Sequence, residues 1–206
     1  MMTGITLCAR NDQVHRINRE KLAEVESEEF TYLASVTGNF SERLFPTELA
    51  LKLRVGAQVM FIKNDSEKMY VNGTIGKIIE LDTNKVVVAI LQDDGTIQRV
   101  DVDKFTWEIL KYKPDPADQK LLKTEEIGSF TQYPLKLAWA VTIHKSQGKT
   151  FDRAIIDLGR GAFESGQAYV ALSRCRTLEG IILKQKLQPR DIFVDRRITE
   201  FFLNNR

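Results

Sequence analysis

The segment Thr142–Thr150 (TIHKSQGKT) concentrates chemically active side chains between apolar runs. It places hydroxyls, an imidazole, two lysines, an amide and a glycine within nine residues. Hydroxyl, ammonium and backbone N–H groups are the donors that a phosphodiester backbone requires, and glycine allows a phosphate to approach the main chain closely. The segment therefore predicts a phosphate-contacting loop, and the alternative is a polar loop at the edge of an α/β domain.

The same segment ends like a P-loop, the glycine-rich motif that cradles nucleotide phosphates. That motif needs a glycine five residues before Gly148, where this chain has Ile143. The apolar run Arg153–Leu158 offers one aspartate without an acidic neighbour, so an Asp-Glu pair for Mg²⁺ is also missing. We therefore expect no ATP hydrolysis by this chain alone, because phosphoryl transfer needs a charge clamp on both sides of the nucleotide.

A second segment, Gln167–Arg176 (QAYVALSRCR), places one arginine directly after an apolar helical stretch. Ser165 can cap this helix, and its apolar face, Tyr169–Leu172, predicts that Arg174 is held rigidly. A rigid guanidinium can stabilise charge that develops on a transferred phosphoryl group. The alternative is an arginine on a solvated helix surface.

The histidines and cysteines do not predict a metal site. His144 has only His15 as a possible partner, and neither Cys8 nor Cys175 belongs to a C-x-x-C pair. Two buried thiols in a reducing compartment account for the cysteines.

Both tryptophans are predicted to pack rather than to bind bases. Single-strand binders stack bases on aromatic side chains, which keeps that alternative open for Trp107. Trp139 lies in an apolar run and is assigned to the core.

Composition bounds the possible functions. The chain has 206 residues, of which 43% are hydrophobic, enough for one large domain with a small insert. Because the chain has 30 basic and 28 acidic residues, its net charge is small and any nucleic-acid contact must come from a local basic patch. No apolar run approaches a membrane span and the first residues do not resemble a signal peptide, so we expect no membrane partner and a cytoplasmic location.

Hydrophobic patterning predicts an α/β fold with a β-rich interruption. The chain opens as a buried strand followed by a helix, with Arg10 at their junction and Asn11 or Asp12 as the cap. Short alternating runs and turn signals fill residues 71–111, which indicates a small β-barrel. Buried strands then alternate with helices, including a closing helix at Ile198–Leu203, which predicts a parallel sheet covered on both faces.

Four segments, in order, resemble motifs of superfamily 1 helicases of the RecD/Pif type. AWAVTIHKSQGKTFD looks like motif V, GQAYVALSRCR like motif VI and LCARNDQVHRIN like motif IV. LRVGAQVMFIKND followed by YVNGTIGKI is similar to the approach to the family's small β-barrel. The resemblance implies a second RecA-like (P-loop NTPase-like) helicase domain at 1–70 plus 128–206, a barrel insert at 71–112 and a linker at 113–127.

The resemblance also implies roles for individual residues. Arg174 matches the motif VI arginine finger that contacts the γ-phosphate of ATP, and Arg10 matches a motif IV arginine that approaches the nucleotide. Motif V supplies the other two sets of site residues, one for the nucleotide and one for DNA. Residues turned towards the ATP cleft are Gln147, Gly148 and Lys149, and residues lining the single-stranded DNA path are Thr142, His144, Lys145 and Ser146.

The implied function is that of the C-terminal motor domain of an ATP-dependent DNA helicase, with 5′ to 3′ translocation. ATP and Mg²⁺ would be held mainly by an N-terminal RecA-like domain that this chain lacks, and single-stranded DNA would be the other partner. Two alternatives stay open: a nucleic-acid-binding module without catalysis, and a subunit that completes another P-loop ATPase in trans. A third alternative, an unrelated α/β enzyme, would need a nucleophilic side chain paired with a general base, and the sequence shows no such pair.

Overall fold

A computed structural model describes residues 4–92, 94–114 and 122–204. The chain forms two compact units, one of Met1–Glu24 with Ala138–Arg206 and one of Val25–Leu137. In chain order, the strands are β1 (Ile5–Cys8), β2 (Glu29–Leu33), β3 (Ser35–Gly38), β4 (Ala50–Arg54), β5 (Gln58–Phe61), β6 (Ile75–Asp82), β7 (Lys85–Leu91), β8 (Ile97–Asp101), β9 (Phe105–Pro114), β10 (Leu122–Gln132), β11 (Leu135–Leu137), β12 (Ala140–Thr142), β13 (Ala154–Asp157) and β14 (Ile181–Leu183). The helices are α1 (Asn11–Ala23), α2 (Gln167–Leu172) and α3 (Arg196–Asn204).

The first unit is built on a parallel sheet in the order β12-β1-β13-β14. Every residue of β1 is buried, as the apolar run at the start of the chain predicts for a strand with a neighbour on each side. The predicted α/β class with a parallel sheet is therefore confirmed. The closing helix is also present, with wider bounds than predicted.

Helix α1 follows β1 directly and packs beside β12. The buried Asn18 side chain donates to the Ala140 carbonyl oxygen at 3.0 Å and accepts from the Ala140 N–H at 2.9 Å. The helix cap differs from the prediction, because Arg10 in extended conformation is the N-cap and makes no capping side-chain bond. Asn11 is instead the first helical residue.

The second unit contains a five-stranded antiparallel sheet in the order β11-β5-β6-β7-β8, a β2-β4 pair and the sheet β3-β10-β9. The β-rich character predicted for residues 71–111 is present here. Among the described strands, β11 and β8 are the two edges of the larger sheet, and no pairing between them closes it into a barrel. The small β-barrel therefore stays a prediction.

The division between the units differs from the predicted boundaries. Strand β3 pairs with β10 and β5 pairs with both β6 and β11, which brings residues 25–70 and 128–137 into the β-rich unit. The described residues of the predicted linker, 113–114 and 122–127, belong to the paired strands β9 and β10, where Lys113 pairs with Lys123. The linker's residues 115–121 lie outside the described residues.

The tryptophans pack, one in each unit. Trp139 is 8% exposed in the first unit. Trp107, in the second, contacts Phe105 edge-on with ring centroids 5.0 Å apart and lies 6.0 Å from the Phe130 ring. Each unit therefore carries its own fluorescent reporter of core packing.

The two cysteines differ in burial, which corrects the expectation that both are buried. Cys8 is fully buried in β1, whereas Cys175 is half-buried. Burial, and then the negative charge of Asp157, raises the pKa of the Cys8 thiol to about 12. Burial also raises the pKa of Cys175, although its side chain reaches the surface.

We predict that iodoacetamide alkylates Cys175 and spares Cys8 in the folded chain at pH 8. With a pKa of about 12 only roughly one Cys8 thiol in ten thousand is ionised at that pH, and the thiolate is the reacting form. Peptide mapping by mass spectrometry measures both rates, and urea should make them similar. Equal rates in the folded chain would show that β1 opens to solvent.

Candidate functional site

An open cleft of about 1050 Å³ lies at the carboxyl ends of β12, β1 and β13 in the first unit. In open parallel sheets, ligands bind in the crevice outside these strand ends, because successive loops converge there. The cleft is lined by Ala9, Arg10, Asn11, Asp12, Gln13, Arg16, Thr142, His144, Lys145, Gly159, Arg160, Phe163 and Glu164.

The predicted strand-contacting residues divide into anchors and exposed groups. Strand β12 ends at Thr142 and is followed by a short 3-10 helix, His144–Ser146. The buried Thr142 hydroxyl accepts from the Lys145 N–H at 3.3 Å, and the buried Ser146 hydroxyl donates to the Ile143 carbonyl oxygen at 2.6 Å. Only Ser146 of the predicted four is absent from the cleft wall.

The His144 side chain contacts an acidic residue of the cleft. Its Nε2 lies 2.5 Å from Oε2 of Glu164, and both side chains are about half exposed. The carboxylate therefore lies where an approaching phosphate oxygen would contact this imidazole. Lys145, the next residue, is exposed and makes no ion pair with any residue that the structure describes.

The loop after β13 is held by two buried aspartates. Asp157 accepts from Lys184 Nζ at 2.6 Å and from the Gly159 N–H at 3.0 Å. Burial raises the pKa of Asp157, but these hydrogen bonds outweigh it and keep the pKa below its ordinary value. Asp191 accepts from the Ala162 N–H at 3.1 Å. The segment that carries Arg160 is thus held on both sides of this residue, at Gly159 and at Ala162.

The residues predicted to face ATP lie outside the cleft wall. Gln147 is exposed, and Gly148 has a φ of +74°, a conformation that favours glycine. Lys149 is half-buried, and desolvation lowers the pKa of its ammonium.

Arg174 lies two residues beyond the end of α2, and three hydrogen bonds hold its side chain. Nε donates to the Val170 carbonyl oxygen at 3.0 Å, Nη1 to the Lys149 carbonyl oxygen at 3.2 Å, and Nη2 to the Ser173 hydroxyl at 2.9 Å. The predicted apolar face is also different, because Tyr169 is exposed and Ala168 and Ala171 are the buried residues. The N-cap is Gly166, not Ser165.

The loop after β12 is joined to the segment that carries Arg174. The Phe151 N–H donates to the Arg174 carbonyl oxygen at 2.8 Å, and the Arg176 N–H donates to the Phe151 carbonyl oxygen at 3.2 Å. Residues 142–151 therefore contact the cleft at one end and the Arg174 main chain at the other.

Arg10 lies in the cleft together with His144 and Lys145, and its guanidinium carbon is 4.6 Å from the centre of the Phe163 ring. Phe163, Glu164, Arg160 and Arg16 also line the cleft but were not among the residues predicted for a site. A usable signal was the position of Gly159 directly after a buried strand, because the loop beginning there must emerge at the same sheet edge as Arg10.

Among the described residues, no three His, Cys, Asp or Glu side chains come together as metal ligands. In the part of the chain that the structure describes, no helix is long and apolar enough to cross a membrane.

Comparison with known proteins identifies relatives of this chain. The family model described as DNA helicase Pif1, 2B domain, matches residues 41–81. The ATP-dependent DNA helicase Pif1 of Psychrobacter sp. is 36% identical over 219 residues, covering 86% of this chain and 33% of the relative. The chain is homologous to the Pif1 helicases.

Two crystal structures of Bacteroides Pif1 extend this result to the fold. The complex with ADP-AlF4 is 41% identical with a TM-score of 0.81, covering 98% of this chain and 44% of the Pif1 chain. The complex with ssDNA is 41% identical with a TM-score of 0.78, covering 98% and 45%. The chain therefore spans less than half the length of these Pif1 relatives.

Proposed function

We propose that this chain is the second motor domain of a Pif1-type ATP-dependent DNA helicase. It contributes part of the path for single-stranded DNA and an arginine finger, Arg174, towards ATP. The observation that carries this proposal is the cleft at the carboxyl ends of three neighbouring parallel strands, where Arg10, His144 and Lys145 meet. Its support is the homology to a Pif1 crystallised with ssDNA.

The charge of the cleft suits a polyanion. Arg10, Arg16, Lys145 and Arg160 outnumber the two acidic residues of the wall, Asp12 and Glu164. Such a local excess attracts a phosphate backbone although the whole chain has a net charge of only +2. The exposed Lys145 would contact phosphates, and His144 would do so when a phosphate oxygen replaces the Glu164 carboxylate at its ring, while Thr142 and Ser146 hold their loop in place.

ATP and Mg²⁺ belong to the complete protein, as the ADP-AlF4 complex of the Bacteroides relative suggests. The donor set of this chain suits only one side of a nucleotide, because Arg174 supplies a guanidinium but the sequence has no P-loop. When bound, ATP would supply the phosphoryl group whose transfer drives movement. Gln147, Gly148 and Lys149 would approach the same nucleotide, an N-terminal RecA-like domain of the complete protein would hold its phosphates, and translocation would run 5′ to 3′.

We predict that Lys145→Ala weakens binding of a fluorescein-labelled oligothymidylate about fivefold, because an exposed ion pair with a phosphate contributes about 1 kcal/mol. The variant should also flatten the slope of log K against log salt by about 0.7, the value for one single-strand phosphate contact. Fluorescence anisotropy measured between about 50 and 200 mM salt gives both quantities.

Lys186→Ala is the matched control, because this exposed lysine belongs to the same unit and does not line the cleft. It should leave affinity and salt slope unchanged. If both lysine variants bind like the original chain, or if the chain does not bind the oligonucleotide at low salt, the cleft is not the strand path and the proposal fails.

A further inference from the structure

The cleft contains an aromatic–guanidinium pair that the proposed function does not yet use. Arg10 leaves the end of β1 and Phe163 belongs to the loop after β13, yet the guanidinium carbon lies 4.6 Å from the centre of the ring. Arg10 is exposed and Phe163 is 43% exposed, so the pair faces the open cleft rather than the core.

One buried glutamine fixes both partners of this pair. The Gln167 side-chain oxygen accepts from the Phe163 N–H at 3.1 Å, and its Nε2 donates to the carbonyl oxygen of Ala9, the residue before Arg10, at 3.4 Å. Gln167 is only 3% exposed, so these bonds lie out of competition with water. The two backbones that carry the pair are therefore tied to a common support.

One of the two acidic groups of the cleft is already engaged. Glu164, the neighbour of Phe163, contacts His144 rather than Arg10, and Arg16 is paired with Glu20, which is not part of the cleft wall. Lys145 and Arg160 have no ion pair with any residue in the described ranges. Cations for phosphate groups thus lie in the same cleft as the pair.

We propose that Arg10 and Phe163 form a stacking platform for one nucleobase of a bound single strand, with neighbouring phosphates on Lys145 and Arg160. This inference rests on the proposed function and deepens it. Nucleobases stack on aromatic rings and on guanidinium groups whatever their sequence, which suits a protein that moves along DNA. A cleft of about 1050 Å³ has room for a base with its sugar and phosphate.

A strand fits this platform better than a mononucleotide does. Thr142, His144 and Lys145, which the helicase resemblance assigns to the DNA path, line the cleft, whereas Arg174 and Gln147–Lys149 do not. Arg10 therefore takes a strand-facing role in place of the nucleotide-facing role implied by motif IV.

The test combines a protein change with a DNA change. Anisotropy is measured for the original chain and Phe163→Ala with oligothymidylates that carry a single abasic site, moved one position at a time. In the original chain we expect one position at which losing the base lowers affinity about 5- to 100-fold, the range found for one stacked base. Phe163→Ala should lose a similar factor with intact DNA and then be insensitive to the abasic site.

Matched variants separate stacking from a structural role. Phe163→Tyr keeps a stacking ring and should retain the abasic penalty, whereas Phe163→Leu keeps apolar volume and should lose it. Phe202→Ala removes an aromatic ring of the same unit that is 65% exposed and outside the cleft, and it should bind and discriminate like the original chain. If Phe163→Ala does not fold, the Tyr and Leu variants still give the comparison.

Three outcomes overturn the inference, and one pattern separates it from the proposed function. The first is an abasic penalty that Phe163→Leu retains, and the second is the lack of any penalised position in the original chain. The third is that ATP displaces the strand from the original chain but not from Phe163→Ala, which would make the platform a mononucleotide site. If Lys145→Ala still weakens binding, the strand path stands and only the platform fails; if Lys145→Ala has no effect either, the proposed function fails too.

Discussion

Replacing Arg174 by alanine should lower the ATP turnover of a helicase that contains this chain about a thousandfold or more. The expected size follows from arginine fingers, which contribute roughly 10³–10⁵ to kcat because they neutralise charge that appears only as the phosphoryl group is transferred. The measurement uses a chimera in which this chain replaces the corresponding part of Bacteroides Pif1, which is 41% identical.

The contacts of Arg174 explain why its position should matter. Its three bonds to Val170, Lys149 and Ser173 use three of the five guanidinium donors and set the direction of the side chain. Arg174→Lys keeps a positive charge but cannot make this forked set of bonds. We therefore expect the lysine variant to be nearly as impaired as the alanine variant.

Arg176→Ala supplies the matched control. Arg176 is two residues away, its side chain is 62% exposed and it pairs with Asp152 at the surface, so its loss should change turnover little. An active chimera in which Arg174→Ala keeps more than a tenth of the turnover would contradict the finger assignment and favour a strand-binding module without catalysis. Steady hydrolysis by the purified chain itself, abolished by Arg174→Ala, would contradict the expectation that it needs a P-loop domain.

Arg10, His144 and Lys145 were predicted from the sequence as site residues, but for two different sites, Arg10 near the nucleotide and the other two on the DNA path. Their meeting in one cleft has a topological reason. His144 and Lys145 follow one buried strand and Arg10 follows another, so parallel pairing had to bring them to one edge. Phe163 and Glu164 escaped prediction because they lie in a loop of irregular composition about 150 residues after Arg10. Loops carry no hydrophobic period, so only the three-dimensional arrangement shows which side chains they bring to the cleft.

The fold was predictable where strands are buried on both faces and unpredictable where they are not. The apolar runs of β1 and β13 stand out in the sequence, whereas all residues of β3 are exposed and β2 buries one residue. Strands of this kind are defined by their partners rather than by their own composition. This is why residues 26–50 show no clear pattern in the sequence although β2 pairs with β4 and β3 pairs with β10.

Gly180→Ala should be among the most destabilising single substitutions in the first unit. A Cβ at this position would lie 2.1 Å from the Asp152 carbonyl oxygen and 3.2 Å from the Asp152 carbonyl carbon, and both atoms belong to the main chain. Main-chain atoms cannot rotate away as a side chain does, so β14 or the segment before β13 must move. We expect a loss of about 3 kcal/mol in the free energy of unfolding, at the upper end for overpacking.

Gly148→Ala separates this steric effect from a conformational one. Gly148 has a φ of +74° with no atom within 4 Å of the new Cβ, so its substitution should cost only the left-handed conformation, about 1 kcal/mol. Urea unfolding followed by Trp139 fluorescence in a Trp107→Phe background reports the first unit for both variants. Equal losses would show that the close approach between Gly180 and Asp152 relaxes easily. A larger loss for Gly180→Ala would show that the main chain at these two residues is rigid, which would also keep the neighbouring Phe151 in place for its hydrogen bond to Arg174.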